Sequence, residues 1–230
     1  MIQIKGSSAN ELFIKVSQQL LNTRKYSSPR GKMTMELRDV WLTLTNPKEN
    51  LVTLPARNID MDYLKAEMDW YNSGSLDVES IGKASTFWNQ LADTNGTVNS
   101  NYGFLAKKQK WAGRSQVEWC IDRLIDDPET RQAIINYNQP VHKYPGNKDF
   151  VCTIAQSFRR NQGQLDSTVL MRSNDLIYGL TYDLPWFTGL QLDIAEQVDM
   201  GPGVYNHFAA SLHVYAKHFK MLERIADSKI

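Results

Sequence analysis

Between Cys152 and Trp186 the chain reads CTIAQSFRRNQGQLDSTVLMRSNDLIYGLTYDLPW, which gathers a thiol, an Arg-Ser-Asn-Asp run and an isolated aspartate, Asp183. Chemically these are a nucleophile, an anion clamp and a carboxylate able to read a polar ring. The plainer reading is a β-hairpin around a buried thiol, since a single cysteine in an apolar strand is ordinarily inert packing. A free thiol of pKa about 8.5 is only a few per cent thiolate at neutral pH, and nearby guanidinium groups raise that fraction by stabilising the anion. Arg172 can approach Cys152 if the strands flanking residues 161–163 pair. Cys120, on the apolar stripe of a helix with acidic neighbours, reads as core.

Arg30 in Ser-Pro-Arg-Gly, Arg131 after Asp-Pro-Glu-Thr, and Arg172 before Ser173 all stand where the chain changes direction. Singly, each reads as a solvated surface residue. Together they offer forked donors for one phosphate, a geometry that only arginine supplies bidentately, with the Ser173 hydroxyl added. Glu67 is the acid beside the apolar stripe of a short helix. A carboxyl group held against a dry face has a raised pKa and can shuttle protons. His213 and Tyr215 alternate in Ser-Leu-His-Val-Tyr, so an extended segment points both the same way.

The elements that must hold these groups follow from period and punctuation. Ser/Asn caps precede Leu12, Phe13, Val16 and Leu20, the spacing of an amphipathic helix. Residues 33–44 alternate as a strand, with a turn or bulge near Arg38-Asp39. Asp60 or Asp62 caps the helix with the stripe Leu64, Met68 and Tyr71. Val117, Cys120, Ile121 and Leu124 predict a helix ending before Pro128. Residues 132–138 and 150–160 predict strands, and Asn161-Gln-Gly a hairpin turn into a third. Residues 183–198 keep a helical period with Pro185 in the first turn, and the chain closes on a helix after Tyr215. Helices alternate with antiparallel-looking strands without βαβ regularity, so the class is α+β, and no linker divides residues 1–230 into domains.

Composition narrows the partners. A net charge of +1 gives no general field for nucleic acid or an acidic membrane, so a bound anion must be gripped by local arginines. Free nucleotides fit that description better than polymers. No stretch approaches the roughly 18 apolar residues of a membrane span, and the first residues lack the apolar core of a signal peptide. Two unpaired cysteines and four histidines without i, i+4 spacing predict a cytosolic, reduced and metal-free protein.

AEMDWY, NSNYG, DPETR, Cys152-Thr153, MRSNDLIYGLTYDLPW and SLHVYAKHF, in that order, resemble the thymidylate synthase family. The likeness covers residues 28 to 220 and is closer to the deoxycytidylate hydroxymethylase branch known from T-even-like phages. The resemblance implies one α+β domain with a mixed or antiparallel sheet, and a homodimer formed through that sheet. By position, Cys152 matches the nucleophile that adds to C6 of a pyrimidine, and Glu67 the glutamate that organises water and proton transfer. Arg30, Arg172 and Ser173 match phosphate ligands, and Arg131 an arginine that reaches the partner's site. His213 and Tyr215 match the pair that holds the sugar 3′-hydroxyl. Asp175 matches the contact to the pterin of the folate, with Trp88 and Tyr102 as site aromatics.

The chain also departs from the synthase pattern. Gln132 replaces a second arginine beside Arg131, and Thr153 and Met171 replace a histidine and a glutamine, the latter two as in the hydroxymethylase branch. Asp183 replaces an asparagine that pairs with uracil, and a carboxylate suits the amino group and ring N3 of cytosine instead. The sequence ends at RIADSKI, where synthases carry an apolar tail that closes over the folate, so loss of the reductive step is expected. The implied activity is hydroxymethylation of dCMP at C5, with 5,10-methylenetetrahydrofolate as co-substrate and no metal, in the cytoplasm of a host if phage-encoded. Alternatives are a dCMP or CMP methylase releasing dihydrofolate, a CMP hydroxymethylase, and, from another class, a non-catalytic nucleotide-binding scaffold. A scaffold has no need of Cys152, Glu67 and Asp183.

Overall fold

A short strand, β1 (Ile2–Gly6), hands over at Ser7-Ser8 to helix α1 (Ala9–Thr23). The Ser8 hydroxyl accepts from the Glu11 amide at 3.2 Å, and Glu11 accepts in return from the amide and hydroxyl of Ser7. These contacts satisfy amides that a helix start leaves open. Leu12, Phe13, Val16 and Leu20 are all buried, as their period requires. Strands β2 (Tyr26–Ser27) and β3 (Thr34–Leu44) follow as an antiparallel pair. The structure, a computed structural model, describes residues 1–229. Met1–Ile59 and the chain from Arg160 onward form one compact unit, and Asp60–Arg159 a second.

The second unit begins at α2 (Met61–Ser73), where Asp60 caps by accepting from the Tyr63 amide at 2.9 Å and Gly74 ends the helix in left-handed backbone. Its inward face is Leu64, Glu67, Trp70 and Tyr71, while Met68 is only half-buried, so the stripe includes the glutamate. Helices α3 (Val78–Gly82) and α4 (Phe87–Leu91), a π-helical turn (Phe104–Lys108) and the strands β4 (Lys110–Trp111) and β5 (Arg114–Ser115) lead to α5 (Gln116–Asp126). Ser115 and Glu118 form a capping box on α5, which stops before Pro128 as expected. Strand β6 (Ile134–Asn136) pairs antiparallel with β7 (Thr153–Asn161). Trp70, Tyr71, Trp88, Tyr102 and Tyr137 are buried in this unit's core.

The first unit resumes after a turn in which Gln162 and Gly163 both take positive φ, 50° and 83°. That is the type I′ pattern that Asn-Gln-Gly predicts. Strands β8 (Gln164–Met171) and β9 (Asn174–Asp175), a π-helical turn (Leu176–Leu180), α6 (Thr181–Gln197), β10 (Gly201–Tyr215) and α7 (Phe219–Ala226) complete the chain. Within this unit the sheet order is β1-β3-β10-β8, with β2 on β3 and β9 on β10. β10 runs antiparallel to β3 but parallel to β8 and β9. The sheet is therefore mixed, and β8–α6–β10 is a crossover unit that antiparallel reading missed. β3 and β10 keep one register on both sides of Asp39, whose φ is 53°, so the expected bulge is a left-handed residue without an insertion. α6 starts two residues earlier than predicted, which moves Pro185 into its second turn. Eleven of its residues are buried, and this packing holds the helix across the hydrogen bond that a proline cannot make.

Gly103 is the tightest point of the second unit: a Cβ there would lie 1.6 Å from the Tyr71 carbonyl oxygen. Gly103→Ala should force the 99–103 stretch off α2 and cost roughly 2–3 kcal/mol, the usual scale for overpacking. Urea denaturation at neutral pH measures it, and an unchanged midpoint would show that the backbone gives way freely.

Candidate active site

Cys152 stands immediately before β7, half-buried, with Sγ 4.0 Å from the Phe150 carbonyl. Its neighbours are tied down on both sides. Asn138 Nδ2 donates to the Val151 carbonyl at 2.7 Å, and the Asp149 carboxylate accepts from the amides of Asn99 and Ser100, each at 2.7 Å. On the other flank the Thr153 hydroxyl donates to Tyr102 Oη at 3.0 Å. One stretch, residues 99–102, thus grips the chain before and after the thiol. Cys120 is the contrast: burial pushes its thiol up to about 12, which makes it inert core as expected.

Glu67 is 5% exposed in the same unit. Tyr63 Oη donates to its Oε1 at 2.9 Å, Tyr71 Oη lies 3.5 Å from the same oxygen, and Trp88 Nε1 donates to Tyr63 Oη at 3.0 Å. Tyr71 stacks on Tyr102 with centroids 5.2 Å apart, and Trp88 packs on Trp70 at 4.8 Å. Trp88 and Tyr102 therefore belong to one network, which runs from Glu67 through the Tyr71–Tyr102 stack to Thr153, the residue after Cys152. Tyr63 and Asp149 carry no motif that marks them in the sequence.

In the first unit, the Arg-Ser-Asn-Asp run lies where β8 passes into β9, and β9 pairs with β10 so that His213 is opposite Asp175. His213 Nε2 is 4.0 Å from Asp175 Oδ2, and the His213 and Tyr215 rings meet edge to face at 5.4 Å. The other Asp175 oxygen accepts from the amides of Ile177 and Tyr178, at 2.6 and 2.7 Å, and so caps the π-helical turn. Burial raises the Asp175 pKa against these amides and the His213 charge. Arg172 and Ser173 are half-buried. Arg30 is exposed between Pro29 and Gly31 with a φ of 54°. Arg131, in the second unit, is exposed after a turn closed by the Asp127 carboxylate and the Thr130 hydroxyl.

Asp183 is buried in the first turn of α6, and Asn174 Nδ2 donates to its Oδ2 at 2.7 Å. Burial, opposed by that hydrogen bond and reinforced by the Asp175 charge, pushes Asp183 up to about 7. Gly179 makes room for the pair, since a Cβ there would lie 2.7 Å from Asn174 Nδ2 and 3.2 Å from Asp183 Oδ2. Arg57, 6% exposed, braces the turn from below by donating to the Ile177 carbonyl at 2.8 Å and the Thr181 hydroxyl at 3.2 Å. Neither Asn174 nor Arg57 is singled out by spacing. A carboxyl group that exchanges its proton near neutrality suits a polar heterocycle better than a fixed charge does.

The thymidylate synthase family model matches residues 11–229, through both units. The chain belongs to the thymidylate synthase family. As a family member it is a folate-dependent one-carbon transferase, and the family uses methylenetetrahydrofolate as co-substrate. Its relatives include the deoxycytidylate 5-hydroxymethyltransferases of Enterobacteria phages T4 and T6, 29% identical over 174 residues that cover 70% of each chain. The deoxyuridylate hydroxymethyltransferase of Bacillus phage SP01 is also 29% identical, over 229 residues that cover 94% of this chain and 59% of that protein. Among the described residues, no helix is long and apolar enough to cross a membrane. No group of three His, Cys, Asp or Glu side chains among them could hold a metal ion.

The Asp183 carboxyl makes stability depend on pH. Its pKa is raised on folding from about 4 to about 7, so the folded state holds the proton more tightly and stability falls as pH rises between those values. Asp183→Asn removes the charge that must be desolvated and keeps the amide-sized group. The variant should be more stable than the wild type at pH 8, by roughly 3–4 kcal/mol at most. The gain should disappear by about pH 4. Urea melts of both proteins across that range measure the difference, and a pH-independent difference would place the carboxyl in water.

Proposed function

We propose that the chain, acting as one domain over residues 1–230, is a deoxycytidylate 5-hydroxymethyltransferase. The observation that carries this reading is the buried Asp183, held by Asn174 and titrating near neutrality. Cytosine presents an amino donor and a ring N3 acceptor. A carboxyl group answers both when it accepts from the amino group and shares its proton with N3. Proton sharing at N3 draws electron density from C6, the atom that Cys152 attacks. The phage hydroxymethyltransferases support hydroxymethylation as the outcome. Their origin supports a place in phage nucleotide metabolism, in the host cytoplasm.

In this mechanism Cys152 forms a bond to C6, and C5 becomes nucleophilic. Methylenetetrahydrofolate, when bound, supplies a one-carbon unit at the oxidation level of formaldehyde and departs as tetrahydrofolate. The C5 proton is lost, water adds to the methylene carbon on the nucleotide, and the thiol is expelled from C6. The balance is dCMP, methylenetetrahydrofolate and water in, 5-hydroxymethyl-dCMP and tetrahydrofolate out. Glu67, oriented by Tyr63, organises the water and its proton. Arg30, Arg172 and Ser173 hold the phosphate, and His213 with Tyr215 the sugar hydroxyl.

For the folate, a pterin offers amino and ring N–H donors, and Asp175 Oδ2 is a buried acceptor without a hydrogen bond among the described residues. That donor set fits. Trp88 and Tyr102 act at the cofactor site from within the network around Glu67. The exposed Arg131 serves the phosphate site of a partner subunit in a homodimer built through the sheet.

Two experiments test this reading. The first supplies the protein with methylenetetrahydrofolate and dCMP, CMP or dUMP and identifies products by mass. The expected product is dCMP heavier by one CH₂O, with tetrahydrofolate, and Cys152→Ser should lower its rate by roughly 10⁴-fold or more while leaving dCMP binding intact. Dihydrofolate with a CH₂ gain would make the enzyme a methylase, and preference for dUMP would move it to the deoxyuridylate side of the family. The second mixes two inactive proteins, Cys152→Ala and Arg131→Ala. Heterodimers should restore part of the activity, whereas a fully active monomer would remove Arg131 from any partner's site.

A further inference from the structure

In its neutral form, Asp183 does not by itself tell cytosine from uracil. A neutral carboxyl group carries one donor and one acceptor, and it can pair with N3 and the amino group of cytosine or, turned over, with O4 and N3–H of uracil. Discrimination needs a group that only accepts or only donates, and the structure has one in contact with Asp183. The Asn174 side chain is 3% exposed, spends an Nδ2 hydrogen on Asp183 Oδ2 at 2.7 Å, and leaves Oδ1 buried without a hydrogen-bond partner among the described residues.

Several constraints hold that amide in place. β9 pairs Asn174 with Leu212 of β10, and Asp175, the next residue, caps the turn. Gly179 lies so close that a Cβ on it would be 2.7 Å from Nδ2, so the amide rests on bare backbone. Turning the amide over would face Oδ1 with an ionised Asp183 oxygen at the same 2.7 Å, acceptor against acceptor. A buried acceptor left open costs about 1–3 kcal/mol, so the apoprotein carries a deficit that a donor from outside would relieve. The 4-amino group of cytosine has two hydrogens, one more than Asp183 needs. O4 of uracil has none.

Resting on the nucleotide reading above, we propose that Asn174 is the specificity-determining partner of Asp183: its Oδ1 accepts the second amino hydrogen of a cytosine nucleotide and repels the O4 of a uracil nucleotide. Asp183 engages the ring, and Asn174 checks the exocyclic group.

The test compares kcat/KM for dCMP and dUMP in the wild type, Asn174→Ala and Asn174→Ser, with each variant's folding verified by its melting curve. Asn174→Ala should lower the preference for dCMP roughly 10- to 100-fold, through loss on dCMP and no loss on dUMP. Asn174→Ser, which keeps an oxygen, should fall between. A probe that needs no variant is N4-methyl-dCMP binding to the wild type: with one amino hydrogen replaced, it should bind at least about tenfold more weakly than dCMP. Equal losses on both nucleotides, or N4-methyl-dCMP bound as tightly as dCMP, overturn the role of Asn174 and leave the dCMP reading standing. A wild type that prefers dUMP overturns both.

Discussion

Withdrawing the Asp183 carboxyl group from water is the most demanding thing the first unit does, and its neighbourhood is arranged around that demand. The group is paired with an amide rather than a cation. A cation would fix the charge and hold the carboxyl group well below the neutral range. The cost of the desolvated acid is met by packing: Leu180, Leu184 and Phe187 are fully buried around the start of α6, and Arg57 binds the turn through backbone and hydroxyl oxygens instead of pairing with the acid. Keeping such a group buried costs the unit stability, a trade that enzymes commonly make.

The second unit solves a different problem, the rigid placement of an acid and a thiol whose positions in the chain are far apart. It uses aromatic rings as spacers. Tyr71 leaves α2 one turn after Glu67, stacks on Tyr102, and Tyr102 receives the hydroxyl of Thr153 next to Cys152. Rings carry two polar ends across an apolar core without adding open donors or acceptors. Thr153 takes part here as a short donor aimed at Tyr102, a role its small size permits within the packed aromatic core.

Much of this was legible from residue order. Ser/Asn caps before α1, Asp60 or Asp62 before α2, and the apolar periods of all three placed α1, α2 and α5, because local hydrogen bonds and one apolar face suffice to define those helices. The thiol, the acid and the two aspartates stood in stretches that resemble one family. The illegible parts depend on tertiary contact. Parallel pairing of β8 with β10 cannot be read from alternation, since parallel and antiparallel strands share a period of two. Pro185 suggested a helix start because the π-helical turn before α6 has no sequence marker. Arg57 and Asn174 look like surface residues until the carbonyl, the hydroxyls and the carboxylate they serve are assembled around them.

The π-helical turn at Leu176–Leu180 has a consequence for how such a site can change. A π turn holds one more residue than an α turn, which offsets everything after it by about 100° around the helix axis. Removal of a single residue from this stretch would wheel the first turns of α6 by that angle, and a different side chain would inherit the place of Asp183. On the role proposed for Asp183, a family can therefore exchange its base reader by a one-residue length change as readily as by substitution. Two members of equal length and matching motifs can be compared position by position here, whereas members that differ by one residue in this turn must be compared by angular phase.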